Sequence, residues 1–325
     1  MAGVARMAIV VGIDEAGFGP ILGPLVVSSS VFSLPHDLLK ADLWQVLRKS
    51  LSKTRKRLAG RLLVADSKKA YSRSIGIKHL ERTVLAALQC LGKEPATLTE
   101  LAAVLCPNCL ERWGDYPWYS DIGSHRLLVD GADKAIASAV LADDLNSNAM
   151  QLLAMESCCL DVAYYNKMVA NVKNKANVLF TATSRLIQTA CDNFGDDDLH
   201  IVVDRQGGRV RYRKNLQRMF GDMQLKILRE SPTTSSYEMA ANGRAMRLHF
   251  VVGADGRFLP VSLASMTSKY LRELLVSNIN RYFNGFGAEL KPTAGYWKDG
   301  LRFIEDIKTN LPDVRFSSEQ LIRSR

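Results

Sequence analysis

Long apolar runs are missing from this chain of 325 residues. No stretch reaches the roughly 18 consecutive apolar residues that a spanning helix needs, so no membrane association is expected. Cysteine is scarce, with six in all, too few for the disulfide framework of a small secreted protein. The N-terminal segment MAGVARMAIVVGIDEAG has one arginine and a short apolar run that flows into charged residues without a cleavage-like site. No signal peptide is therefore expected, and a cytoplasmic location is. Acidic residues are the minority charge, 33 against 43 Lys and Arg, which gives a net charge of +10. That excess favours an anionic partner, most commonly nucleic acid. The remainder, 47% hydrophobic and 23% charged, is ordinary for a soluble globular protein. The length suits one large domain or two small ones.

The stretch that organises the chain is Ile9 to Val31, IVVGIDEAGFGPILGPLVVSSSV. An apolar run leads into two adjacent carboxylates, Asp14 and Glu15, then a turn of small residues, then a second apolar run from Pro24. This reads as a strand, a glycine-rich turn and a second strand. A buried strand ending on two charges needs partners for them, and the turn glycines admit close backbone approach by a ligand. A plain hairpin with acids at its rim is the alternative.

Further along, Asp37 to Leu51 has apolar residues at helical spacing. The apolar run Leu62 to Ala65 meets Asp66-Ser67-Lys68-Lys69. Two ammonium groups beside a helix start suit a phosphate, although a capped helix with solvated lysines would look the same. The helix is predicted to reach about Leu91, with Leu80, Val84 and Leu88 on one face. Between residues 93 and 161 the character changes. A CxxC (Cys106 to Cys109) and an aromatic cluster (Trp113, Tyr116, Trp118, Tyr119) precede helix-like segments at Ala132 to Leu141 and Ala149 to Cys159. This reads as an inserted, mainly helical subdomain whose aromatics either stack on bases or, the more ordinary reading, form a small core of their own. Its cysteines are either free thiols or part of a zinc site completed by Cys158, Cys159 or His125. Tyr164 to Cys191 reads as one long helix.

Leu199 to Val203 is a strand ending on Asp204, again beside glycines. Strand ends of this kind are where α/β sheets gather their sites. Leu225 to Leu228 is a further strand. Arg247 to Val252 and Arg257 to Val261 read as a hairpin around Ala254-Asp255-Gly256. The helix that follows carries Lys269 and Glu273 four residues apart, hence on one face. An amphipathic helix is expected near Gly300 to Leu311. Asp14, Glu15, Asp204 and Glu273 then stand out as candidate ligands for hard divalent cations such as Mg²⁺ or Mn²⁺. Two such ions serve phosphodiester hydrolysis.

These segments resemble the type 2 ribonucleases H, with some features of their type 3 relatives. Asp14-Glu15-Ala16-Gly17-Phe18-Gly19-Pro20 is similar to the family's Asp-Glu-Ala-Gly-Arg-Gly-Pro. Asp66-Ser67-Lys68-Lys69 matches its Asp-Ser-Lys-Lys, and Val203-Asp204 its third acid. Ala264 to Glu273 parallels its Ala-Ser-Ile-x-Ala-Lys-Val-x-Arg-Asp, and Gly295-Tyr296 its substrate-side Gly-Tyr. The resemblance implies a ribonuclease H-like α/β fold, a mixed sheet of about five strands flanked by helices. The catalytic domain would be residues 1–92 and 162–325, with 93–161 inserted. It implies endonucleolytic cleavage of the RNA strand of an RNA/DNA hybrid, or of a ribonucleotide-containing duplex, by a monomer. The products would carry 5′-phosphate and 3′-OH. Asp14, Glu15, Asp204 and Glu273 would bind two Mg²⁺ or Mn²⁺ ions. Gly17, Phe18 and Gly19 would read the ribose 2′-OH. Lys68, Lys69 and Lys269 would hold phosphates, and Tyr296 would pack on a sugar.

Two departures bear on substrate. Phe18 replaces the family's arginine and cannot grip a phosphate by paired hydrogen bonds. Glu273 is one methylene longer than the family's aspartate, as in the type 3 enzymes. Both point to cutting of RNA stretches rather than single embedded ribonucleotides. Alternatives are a nuclease of the same fold acting on another structured nucleic acid, and a non-catalytic nucleic-acid-binding relative.

Overall fold

Ile9, Val11 and Ile13 alternate with Val10 and Gly12, yet all five are buried. They form the middle of β1 (Met7–Ala16), a central strand covered on both faces. In the computed structural model of the chain, which describes residues 6–56, 58–72, 74–241 and 243–324, six more strands join it. They are β2 (Leu25–Pro35), β3 (Gln151–Leu160), β4 (Leu199–Asp204), β5 (Gln224–Glu230), β6 (Thr234–Ala241) and β7 (Arg244–Val251). Their order across the sheet is β3-β2-β1-β4-β7-β6-β5. β1, β4 and β7 are parallel neighbours; the outer pairs are antiparallel. The sheet is mixed, as expected, but has seven strands rather than five.

Two apolar layers cover it. On one face Ile9, Val11 and Ile13 join Val178, Phe180 and Ile187 of the helix Lys175–Phe194. On the other, Val10 joins Leu259, Leu263 and Met266 of the helix Leu259–Asn284. This long helix lies unusually close to β1. A Cβ added at Gly12 would stand 2.1 Å from the Pro260 carbonyl carbon, so only glycine lets the strand and the first helical turn meet.

Several expected elements differ. Ala149 to Cys159, predicted as a helix, is mostly β3, paired antiparallel with β2 so that Val26 faces Cys159. Its Leu, Ala, Met and Glu favour a helix locally, but the open edge of β2 offers a full ladder of hydrogen bonds and that pairing wins. The 93–161 segment is thus not wholly helical, because it supplies an edge strand to the main sheet. Its aromatics do not form a separate core either. Trp118 packs its ring 6.0 Å from both Tyr282 and Phe283 of the long helix.

The hairpin expected at Arg247 to Val261 is absent. β7 instead pairs with β6, and the chain reverses at Gly253 (φ +61°) into the short turn Ala254–Gly256 before the long helix starts. The long helix expected over Tyr164 to Cys191 is two, Val162–Val172 and Lys175–Phe194. They are broken where Lys173 is left-handed and Asn174 caps the second. The helix after Asp66 is also split, into Ser67–Ala70 and Lys78–Cys90, with Leu80, Val84 and Leu88 buried as predicted. Asp37 to Leu51 holds no continuous helix, only the short 3-10 turn His36–Lys40 and the single α-helical turn Leu43–Val46, before the short strand Leu51–Ser52. The amphipathic helix expected near Gly300 to Leu311 runs Trp297–Asn310.

Gly12→Ala is expected to cost about 2–3 kcal/mol by overpacking between β1 and the long helix. Chemical denaturation should show a lower midpoint at unchanged slope.

Candidate active site

Three parallel neighbours, β1, β4 and β7, end at the same edge of the sheet, and each delivers carboxylate there. β1 pairs with β4 up to Ile13 opposite Val203, so Asp14 and Asp204 leave adjacent strands side by side. β4 pairs with β7 up to Asp204 opposite Val251. Four residues past Val251 comes Asp255, in the turn Ala254–Gly256. The Ala254 N–H donates to Asp204 Oδ1 at 2.6 Å, which ties this turn to the end of β4.

The carboxylates feel one another. Asp14, 6% exposed, has its pKa pushed well above the ordinary value, first by burial, then by the charges of Glu15, Asp204 and Asp255; a Ser265 hydrogen bond opposes the rise. Glu15 is pushed up to about 7 by burial and by Asp204. Asp204 is pushed up to about 6, chiefly by burial and also by Asp255. Asp255 is raised by burial and by Asp66, with which it shares a hydrogen bond. Lys68 supplies an opposing positive charge to Glu15, Asp204 and Asp255.

The long helix holds the end of β1 in place. Ser268 Oγ donates to the Asp14 carbonyl oxygen at 3.0 Å and bonds Ser28 Oγ at 2.8 Å. Ser265 Oγ bonds Ser67 of the Asp-Ser-Lys-Lys segment at 3.2 Å. Asp66 caps that turn by accepting from the Lys68 N–H at 2.9 Å. Lys68 and Lys69 themselves are exposed.

Glu273 requires a correction. It lies eight residues beyond Ser265 on the same helix, about 12 Å along the axis at 1.5 Å per residue. Its carboxylate is taken by Lys269 Nζ at 2.7 Å and Arg272 Nη1 at 3.3 Å. The acids that act most strongly on Asp14 are Glu15, Asp204 and Asp255, so Asp255 stands in the place that Glu273 was expected to fill. Lys269 is corrected with it. Its ammonium is 4.6 Å from the centre of the Tyr71 ring as well as on Glu273, so its charge is already matched within the protein. Asp255 carries the same signal that marked Asp204, an apolar strand running into a carboxylate among glycines. The hairpin reading of residues 247–261 hid it.

The glycine turn flanks the cluster. Gly17 has φ +93°, and a Cβ there would meet Arg272 Nε and the Pro24 carbonyl oxygen, each at 2.6 Å. Beyond it, the Ile21 and Leu22 N–H groups donate to the Gly295 carbonyl oxygen at 2.8 and 3.2 Å. Arg272 Nη2 donates to the carbonyl oxygens of Leu22 and Ala294 at 3.2 and 3.0 Å. Tyr296, half exposed at 52%, therefore stands directly beside this turn. Gly19 is open to solvent, with nothing within 4 Å of an added Cβ. Phe18 is half-buried, and Lys175 Nζ lies 5.4 Å from its ring centre.

Four carboxylates offer only oxygen donors, the set a hard divalent cation prefers. Their raised pKa values mark a concentration of negative charge that such an ion relieves. Among the described residues, no three His, Cys, Asp or Glu side chains stand close enough to hold an ion as they are placed.

No family model and no curated protein matches the chain. Solved structures similar to it are ribonucleases H. RNase HII from Archaeoglobus fulgidus, in a complex with PCNA, is 17% identical over 98% of this chain and 94% of that one, with a TM-score of 0.45. Bst-RNase HIII in complex with Mn²⁺ is 14% identical over 98% of this chain and 66% of that one, also with a TM-score of 0.45. Ribonuclease H2 from Pyrococcus horikoshii OT3 is 15% identical over 96% and 92%, with a TM-score of 0.39.

A carboxyl whose folded pKa lies above its unfolded value keeps a proton that the unfolded chain has released. Stability then declines as pH rises from the unfolded value through the folded one. For Glu15 that window runs from 4.5 to about 7, with a loss on the order of 3 kcal/mol. In EDTA, the thermal midpoint should fall across this range. Asp14→Asn should flatten the fall and raise the midpoint at pH 8, and Mg²⁺ or Mn²⁺ should raise the midpoint of the unaltered protein more than that of the variant.

Proposed function

We propose that this chain is a divalent-metal-dependent endonuclease that hydrolyses the RNA strand of RNA/DNA hybrids, leaving 5′-phosphate and 3′-OH ends. The observation that carries the reading is the convergence of Asp14, Glu15, Asp204 and Asp255 at one sheet edge beside Lys68 and a glycine turn. Mg²⁺ or Mn²⁺, as two ions, would supply an activated water and charge neutralisation at the attacking and leaving oxygens. Asp14, Glu15, Asp204 and Asp255 are the donor set for them.

The protein's own residues bind and orient the substrate. Lys68, exposed and close enough to act on three of the four acids, holds a backbone phosphate next to the scissile one, and Lys69 extends that contact along the strand. The backbone of Gly17, Phe18 and Gly19 meets the ribose 2′-OH, the group that separates RNA from DNA. The closeness of Gly17 to Arg272 fixes the turn for this contact. Tyr296 packs on the neighbouring sugar from the other side of the turn. The net charge of +10 draws the polyanion in.

Phe18 at the centre of the turn cannot make the paired phosphate contact of an arginine. Preference for stretches of RNA over a single embedded ribonucleotide now rests on this residue alone, since Glu273 is not one of the clustered acids.

Purified protein should cut a labelled RNA/DNA hybrid with Mg²⁺ or Mn²⁺ and not in EDTA. Asp204→Asn and Asp255→Asn should each lower the rate by at least about a hundredfold while hybrid binding persists, as expected when electrostatic groups of a reaction centre are lost. Glu273→Gln should retain far more activity than either. Equal loss in Glu273→Gln and Asp255→Asn would overturn the site as drawn. Faster cutting at a lone ribonucleotide in DNA than within a run would overturn the substrate preference.

A further inference from the structure

Away from the carboxylates, the fold gathers sulfur. Cys106 ends the helix Leu98–Leu105, and Cys109 lies one turn later, just before the helix Leu110–Trp113. Both are buried, as is Cys159 on β3. With half-buried Cys158 they line a cavity of about 360 Å³ that Arg112 and Arg185 also border. The Cys109 N–H donates to the Cys106 carbonyl oxygen at 2.9 Å. A turn closed in this way keeps its end Cα atoms within about 7 Å, close to the span of a disulfide. Cys109 Sγ lies 3.2 Å from the Cys159 carbonyl oxygen, where Arg112 Nη2 also donates at 3.2 Å.

The thiols are not equivalent. Cys106 is pushed up by a hydrogen bond to Cys109 and by burial, and Cys159 by burial and then by its hydrogen bond to Cys109. Cys109 is pulled down, by hydrogen bonds from Cys106 and Cys159 and by the charge of Arg112. The Arg112 guanidinium beside Cys109 thus favours ionisation there over its neighbours. A four-thiol metal site does not explain the cluster. Cys158 and Cys159 are successive residues of a strand and face opposite ways. Among the described residues, no three of these side chains stand so as to hold an ion.

We propose that Cys106 and Cys109 form an oxidation site for small hydroperoxides, with Cys109 reacting first and Cys106 closing a disulfide onto it. The Cys109 thiolate attacks one oxygen of hydrogen peroxide. The O–O bond breaks, the departing hydroxide takes up a proton to leave as water, and Cys109 becomes a sulfenic acid. Cys106 Sγ then attacks Cys109 Sγ; its proton leaves with the displaced hydroxyl as a second water, and the S–S bond forms. Peroxide gains two electrons and the two thiols lose them. The cavity admits a reactant of this size to sulfurs that are otherwise covered.

The test is peptide mass after limited hydrogen peroxide, alkylation and trypsin. Cys106 and Cys109 share the peptide Glu94–Arg112. That peptide should lose two hydrogens and resist alkylation, at a rate at least about tenfold above loss of the Cys90 or Cys191 thiols. Cys106→Ser should instead accumulate a dimedone-trapped sulfenic acid at Cys109, and Cys109→Ser should leave the peptide unoxidised. A cross-linked pair of peptides joining Cys109 to Cys159, oxidation no faster than at Cys90, or tightly bound zinc in the purified protein would each overturn the proposal. None of these readouts depends on nuclease activity.

Discussion

Negative charge crowded at one sheet edge is the constraint to which the surrounding structure answers. Asp14, Glu15, Asp204 and Asp255 all sit in a region where burial and mutual repulsion oppose ionisation. Nearly every neighbour offsets some of that. Ser265 bonds the Asp14 carboxylate, the Ala254 N–H bonds Asp204, and Lys68 contributes a positive charge to three of the four. Ser268 grips the main chain of Asp14 rather than its side chain, and the Glu15 N–H donates to Asp14 Oδ1 at 2.7 Å. Such a centre is expensive to keep without a cation, and it is hard to see as mere scaffolding, because packing would be served better by apolar residues.

One helix governs both halves of the site. Its first turn abuts Gly12 of β1, its second and third present Ser265 and Ser268 to the acid-bearing strand, and a turn later Arg272 holds the carbonyl oxygen of Leu22 behind the glycine turn. Acids and glycine turn are therefore spaced by a rigid rod rather than by a flexible loop. This explains why Arg272 is almost wholly buried despite its charge, and why Gly17 and Gly295, which both approach it, have positive φ.

What the sequence disclosed depended on whether the signal was local. Strands that end on Asp14 and Asp204 are legible because an apolar run stopping at a charge is a local pattern. Asp255 has the same pattern, but Arg257 to Val261 resembles a returning strand, and only the parallel pairing of β4 with β7 shows that the chain does not fold back there. The motif around Glu273 places it with the acids when read as sequence alone. Helical spacing already paired it with Lys269, and three-dimensional distance confirms that partnership. β3 was illegible for a different reason. Its residues favour a helix in isolation, and the strand exists because β2, far away in sequence, has an edge to fill. β6, with its serines and threonine, gave no strong periodic signal and was not expected at all.

That edge strand has an implication for how the protein can vary. β3 covers nine positions of β2, from Leu25 to Ser33. A shortened chain lacking residues 93–161 would thus bare a long ladder of unpaired peptide groups, the kind of surface that recruits strands from other molecules and leads to aggregation. The segment between the two halves of the sheet is accordingly no detachable ornament: whatever else it does, it seals the sheet.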